Sequence, residues 1–151
     1  MTHRDLVHDT VTVTATVNAA LARVWEAYAD TAVRARWSVP AGEALLYESD
    51  DFVSGGHAVY RCGTPGVLQF HAHVDYVLVE PQQCVVYTET LRTQQQFLAT
   101  SLVTWHFGHA PQGSQVGVTC QVTSYVGQDM LDGTCNGHRI ALEQLAARFE
   151  A

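Results

Sequence analysis

From Asp9 to Val17 apolar and polar positions alternate strictly, with Val11, Val13, Ala15 and Val17 on one side and threonines on the other. Period two carried by β-branched residues predicts a half-buried strand. The period then changes. Asn18 is a good N-cap for a helix from Ala19 to about Ala29, whose apolar side is Leu21, Ala22, Val24, Trp25, Tyr28 and Ala29, with Arg23 and Glu26 pointing away. Asp30 or Thr31 can cap a second short helix, Ala32 to Arg36, which leads into Trp37 and is stopped by Pro40.

From Glu43 onward period two returns. Strands are predicted over Glu43–Asp50 and His57–Cys62, joined through Ser54-Gly55-Gly56, where glycine permits positive φ. After Thr64-Pro65-Gly66 comes Leu68–Val79, with Phe70, Ala72, Val74, Tyr76 and Leu78 on one face. Cys84–Leu91 follows the turn at Glu80-Pro81. Phe97–His109 places Ala99, Ser101, Val103, Trp105 and Phe107 together, and Gln115–Ser124 turns Val116, Val118, Cys120 and Val122 inward. Tight turns between successive strands imply an antiparallel sheet.

The chain closes on a stretch from Met130 to Ala151 with helical period. Met130, Leu131, Thr134, Cys135, Ala141, Leu142, Leu145 and Phe149 share one stripe, opposite Asp132, Asn136, Arg139, Glu143 and Glu150. So wide a stripe needs a large partner, and the upstream strands supply a sheet. Gly137 at the edge of the stripe and His138 in its middle indicate incomplete packing there. The fold class is therefore α+β: one strand, two short helices, about six further strands, and a long C-terminal helix gripped by a curved antiparallel sheet.

Composition narrows the chemistry. With 151 residues the chain is most simply one domain, residues 1–151. The formal charge of −7 comes from fifteen acidic residues against eight basic ones, all of them arginine. An acidic chain without basic clusters is a poor partner for nucleic acid or an anionic membrane. The absence of lysine excludes a Schiff base and a phosphate-loop lysine, and no cofactor is implied. Cys62, Cys84, Cys120 and Cys135 are scattered, with no Cys-x-x-Cys pair, and are expected as free thiols. The start, Met1 to Asp9, lacks the basic flank and apolar run of a signal peptide, so the expectation is a soluble cytoplasmic protein.

Several local sequences occur in a familiar order. These are Val24-Trp25, Ala35-Arg36-Trp37, Ser54-Gly55-Gly56-His57, Val79-Glu80-Pro81 with Val85-Val86-Tyr87, Val103-Thr104-Trp105-His106-Phe107, and the spacing of Gly137, Leu142 and Leu145. In this order they resemble the START-like helix-grip (SRPBCC) superfamily, and within it single-domain homologues of the activator of heat-shock protein ATPase. The resemblance covers nearly the whole chain. It implies a seven-stranded antiparallel sheet around the C-terminal helix, with a cavity between them that often takes a hydrophobic small molecule. The chain departs from the family at His138, where tryptophan commonly follows the helix glycine.

His138 is the sharpest chemical signal: a histidine satisfied within the core, a polar contact to a cavity ligand, or a general acid or base. With Thr134 on its stripe and the aromatic residues Trp37, Tyr60, Tyr87 and Trp105, it makes up the candidate ligand-binding set. Glu89 shares a face with Val85, Tyr87 and Leu91, and a carboxylate among such neighbours is a candidate base. Pairing with Arg61 or Arg92 across the sheet, or facing water, are its structural alternatives. His71, His73 and Asp75 alternate on one strand and form a weak metal candidate, because their face is opposite the apolar one.

The function expected from this reading is binding of a small hydrophobic or amphipathic ligand between helix and sheet, without an assigned reaction. The alternative is an acid–base enzyme, cyclase- or hydrolase-like, acting on an aromatic or polyketide-like substrate through His138 and Glu89. A co-chaperone role, implied only by the family, ranks last, and a homodimer is compatible with every reading.

Overall fold

In the computed structural model residues 5–150 are described; Met1–Arg4, part of the start read above for a signal peptide, and Ala151, at the end of the expected helix, lie outside them. Strand β1 (Val7–Val17) is followed by helices α1 (Leu21–Ala29) and α2 (Thr31–Trp37). Strands β2 (Ala44–Asp50), β3 (His57–Gly63), β4 (Phe70–Glu80), β5 (Cys84–Arg92), β6 (Phe97–Ala110) and β7 (Gly113–Ser124) come next, and helix α3 (Gln128–Ala147) closes the chain. The seven strands form one open antiparallel sheet in the order β1-β7-β6-β5-β4-β3-β2.

Cross-strand register explains which side chains meet. Val13, Val118, Trp105 and Val85 lie in one row across four strands; Val11, Cys120, Val103, Tyr87 and Tyr76 form the next across five. These rows are the inner face, and nearly all of their members belong to the hydrophobic core. Burying such β-branched and aromatic rows against helices is what stabilises the sheet.

Three local expectations need correction. Helix α1 starts at Leu21 with Ala20 at the N-cap position and no side-chain cap, so Asn18 does not cap it. The chain between β1 and α1 is instead a tight turn, in which Ala19 N–H bonds Val17 O at 2.9 Å and Ser114 Oγ donates to Ala19 O at 2.7 Å. Strand β4 starts at Phe70 rather than Leu68, whose φ of 45° belongs to the preceding turn. Within β4 the register shifts between Tyr76 and Leu78. An extra residue in one strand flips the side chains beyond it, so Leu78 is exposed on the outer face and Val79 packs on the core in its place.

The α2 cap follows the sequence: Asp30 Oδ1 accepts from Val33 N–H at 3.1 Å. Helix α3 packs on β1 and β7 and less closely on β6, whereas α2 packs on β2. The long helix therefore lies over one half of the sheet. Among the described residues no helix is long and apolar enough to cross a membrane.

Candidate functional site

The offset of α3 toward β1 leaves the inner face of β2–β5 partly uncovered. There, between the helix edge and the sheet, is a cavity of about 330 Å³. Strands supply Leu45, Tyr47, Tyr60, Cys62, Phe70, Val74, Tyr76, Tyr87, Glu89, Leu91 and Trp105. Helix α3 supplies Met130, Gly133, Thr134, Gly137, His138 and Ala141, and the α2 end contributes Arg34 and residues 37–40. Every member of the expected ligand set, His138, Trp37, Tyr60, Tyr87, Trp105 and Thr134, lines this space, as does Glu89.

The helix side is open because two of its residues have no side chain. A Cβ placed on Gly133 or on Gly137 would meet nothing within 4 Å. His138 stands beside this gap, half-buried, with Nδ1 3.0 Å from Thr134 O. A carbonyl only accepts, so Nδ1 carries the proton of this bond and the neutral ring keeps its lone pair on Nε2. Thr134 Oγ1 donates to Met130 O at 2.9 Å, so its hydroxyl proton is already committed within the helix.

On the sheet side Tyr60 donates its hydroxyl to Glu89 Oε1. Glu89 is opposite Val74 and Ser101, on the inner face, whereas Arg61 and Arg92 flank His71 on the outer face. Strand parity thus rules out the arginine pairing considered for Glu89. Burial pushes the hydroxyls of Tyr60 and Tyr87 well above the ordinary tyrosine value, and the nearby Glu89 carboxylate adds to it. The Cys62 thiol is pushed up to about 12, by burial first and by Glu89 and Glu43 next, which leaves it a poor nucleophile.

Trp105 and Trp37 meet edge to face at 5.7 Å, but their N–H groups have different fates. Trp37 Nε1 donates to Ala27 O at 3.0 Å, inside the core. Trp105 Nε1 is buried without an acceptor. The nearby Tyr87 hydroxyl is not placed to accept a hydrogen bond from it. A buried N–H without an acceptor costs about 1–3 kcal/mol.

Arg34 was not anticipated. Its buried guanidinium pairs with Asp50, donates through Nη1 to Tyr28 O at 2.7 Å and through Nε to Tyr47 Oη at 3.0 Å, and lies over the Phe52 ring at 4.9 Å. Tyr76 donates to Asp50 Oδ1 at 2.7 Å. Nothing in the local sequence separates Arg34 from its neighbour Arg36; only the approach of α2 to β2 does. Gln144 was also missed: its Nε2 donates to Trp37 O at 2.8 Å and Val39 O at 2.7 Å, tying α3 to the cavity rim.

The expected metal trio is not held together. His71 lies between Arg61 and Arg92, while His73 and Asp75 are joined instead by His57 of β3. All these residues are on the outer face, away from the cavity.

An antiparallel sheet holding a C-terminal helix with a cavity between them defines a START-like helix-grip protein. The chain belongs to the family of Activator of Hsp90 ATPase homolog 1-like proteins, whose model matches residues 18–150. Proteins of this fold commonly bind hydrophobic ligands. A Rhizobium leguminosarum protein is similar in structure, with a TM-score of 0.84 at 24% identity over 97% of both chains. The Mll3558 protein of Rhizobium loti has a TM-score of 0.81 at 29% identity, over 95% of this chain and 98% of that one. DynU16, a protein of the dynemicin biosynthetic locus, shares the fold with a TM-score of 0.68 at 18% identity, over 92% of this chain and 46% of its own. No match is found among curated proteins.

Proposed function

We propose that this protein binds a small amphipathic molecule, with a substantial apolar or aromatic part, in the cavity between α3 and strands β2–β5. The observation that carries the reading is the pair Gly133 and Gly137. Glycine inside a helix costs roughly 0.5–1 kcal/mol relative to alanine, and here no neighbour requires it, since a Cβ would point into open space. What the glycines supply is room. The volume of about 330 Å³ falls within the range of small-molecule pockets, roughly 300–1,000 Å³. Aromatic walls would bury the apolar part of the ligand, while the Trp105 N–H and the lone pair of His138 offer one donor and one acceptor. A cytoplasmic setting, with its reducing conditions, suits the four free cysteines.

The test uses 8-anilinonaphthalene-1-sulfonate, an aromatic amphipathic probe, together with native mass spectrometry of the purified protein. Gly137→Leu directs a side chain into the cavity from a position whose Cβ meets nothing within 4 Å, so it should weaken probe binding at least tenfold while the circular dichroism stays unchanged. Equal binding by the variant would sink the proposal.

A second reading, acid–base catalysis in the same cavity, has one observation in its favour: Glu89, held by Tyr60, and His138 line a common space. A ligand released with a mass different from the one bound would support turnover; release of the unaltered molecule leaves binding alone. The co-chaperone reading rests on the family's name only and ranks last.

A further inference from the structure

The outer face of the sheet carries a cluster that the cavity does not use. His57 on β3 and Asp75 on β4 are direct cross-strand partners, and His73 is two residues before Asp75 on the same face. Asp75 Oδ1 receives both imidazoles, His57 Nδ1 at 2.5 Å and His73 Nε2 at 3.2 Å. The two rings are 6.0 Å apart and tilted by 33°. One donor atom from each of the three residues lies within 4.8 Å of the others.

We propose that His57, His73 and Asp75 form a surface binding site for a divalent transition-metal ion of the zinc type. Two imidazole nitrogens and one carboxylate oxygen are the donor types such ions prefer. Donors bound to a single zinc at about 2.1 Å in tetrahedral geometry are about 3.4 Å apart. Both separations from Asp75 Oδ1 are shorter than that spacing, and all three donor atoms lie within 4.8 Å of one another, so small side-chain rotations that open the cluster would admit an ion in place of the present hydrogen bonds. The side chains of His57, Asp75 and His73 are 66%, 48% and 56% exposed, which leaves an entry path and further coordination positions for water.

The neighbours discriminate between this set and the one read from β4 alone. His71 is flanked in register by Arg61 and Arg92, whose positive charges oppose a cation. His57 instead faces a carboxylate. Because the ligands come from two adjacent strands, an ion there would also fasten β3 to β4 near the β2 edge of the sheet.

Titration of the full chain with zinc chloride by calorimetry, at neutral pH in a non-chelating buffer, tests the site. One ion per chain should bind with a micromolar dissociation constant. His57→Ala and His73→Ala should each weaken binding at least tenfold, and His71→Ala should leave it within about twofold. These residues are on the surface, and circular dichroism checks that each variant is folded. No binding at millimolar zinc overturns the proposal. So does undiminished binding by His57→Ala, or an equal loss on His71→Ala, which would place the ion on the His71–His73 pair of β4. The cavity reading is untouched by either result.

Discussion

Gly56 and Gly137 are glycines for different reasons, and their surroundings separate them. At Gly56 a Cβ would sit 2.0 Å from Asp51 O, so the backbone itself excludes any side chain there. At Gly137 nothing lies within 4 Å and φ is ordinary. Replacing Gly137 by alanine should therefore stabilise the protein by about 0.5–1 kcal/mol through helix propensity alone. Urea denaturation measures this, and a loss of stability would mean that the backbone there is packed more closely than described. The same small residue beside His138 leaves an imidazole, anchored by the Thr134 carbonyl 3.0 Å away, at the cavity wall. Arg34 shows the opposite case, a charge buried among Asp50, Tyr28 and Tyr47 whose polar atoms answer it. Removing one member of such a pair is far more costly than the pair itself is stabilising, because the other charge is left buried and alone.

Helix α2 depends on its ends more than on its length. It has seven residues, too few to be stable alone. Its first turn is held by the Asp30 carboxylate, and its other end by Ser38 Oγ donating to Arg34 O at 2.5 Å and by Gln144 reaching across from α3. Asp30→Ala should cost about 1 kcal/mol, the usual loss when an N-cap acceptor is removed. Faster amide exchange at Val33 than at residues in β6 would accompany it; unchanged stability and exchange would show that the cap is not used. In α3 the buried half of the stripe, Leu131, Leu142 and Leu145, fixes the helix on the sheet, while Gly133, Thr134, Gly137 and His138 edge the cavity. One apolar stripe thus serves both packing and enclosure.

Across the whole molecule the inner face collects aromatic hydroxyls. Tyr28, Tyr47, Tyr60, Tyr76 and Tyr87 are all raised above the ordinary tyrosine value, in each case by burial first. Burial also raises the Cys62 and Cys120 thiols to about 12. A raised folded value means that the folded state holds its proton while the unfolded chain releases it. The associated stability is complete below the unfolded value and is lost as pH rises toward the folded one. Stability should therefore decline from about pH 9, where unfolded thiols ionise, and more steeply above about pH 10, where unfolded tyrosines do. Absorbance at 295 nm should show most tyrosines ionising together with loss of circular dichroism. Gradual ionisation near pH 10 with the fold intact would contradict this burial.

The sequence by itself determined the element order, the inward rows of β5, β6 and β7, and the apolar stripe of α3, because each is a local periodicity that burial of one face enforces. Gly137 and His138 stood out there as well, since a glycine and a histidine on an apolar helix stripe break that periodicity, whereas Arg34 at the cavity wall did not. Only the tertiary structure decided the rest. The Tyr76/Leu78 register shift, which puts Val79 in Leu78's place, is a pairing event with no local signature. Arg34 and Asp50 become partners only when α2 lies on β2. His57 replaces His71 beside His73 and Asp75 because cross-strand register, not spacing along one strand, sets which side chains converge. The cavity itself exists because α3 settles over the β1–β7–β6 half of the sheet, a choice made by packing across the whole inner face.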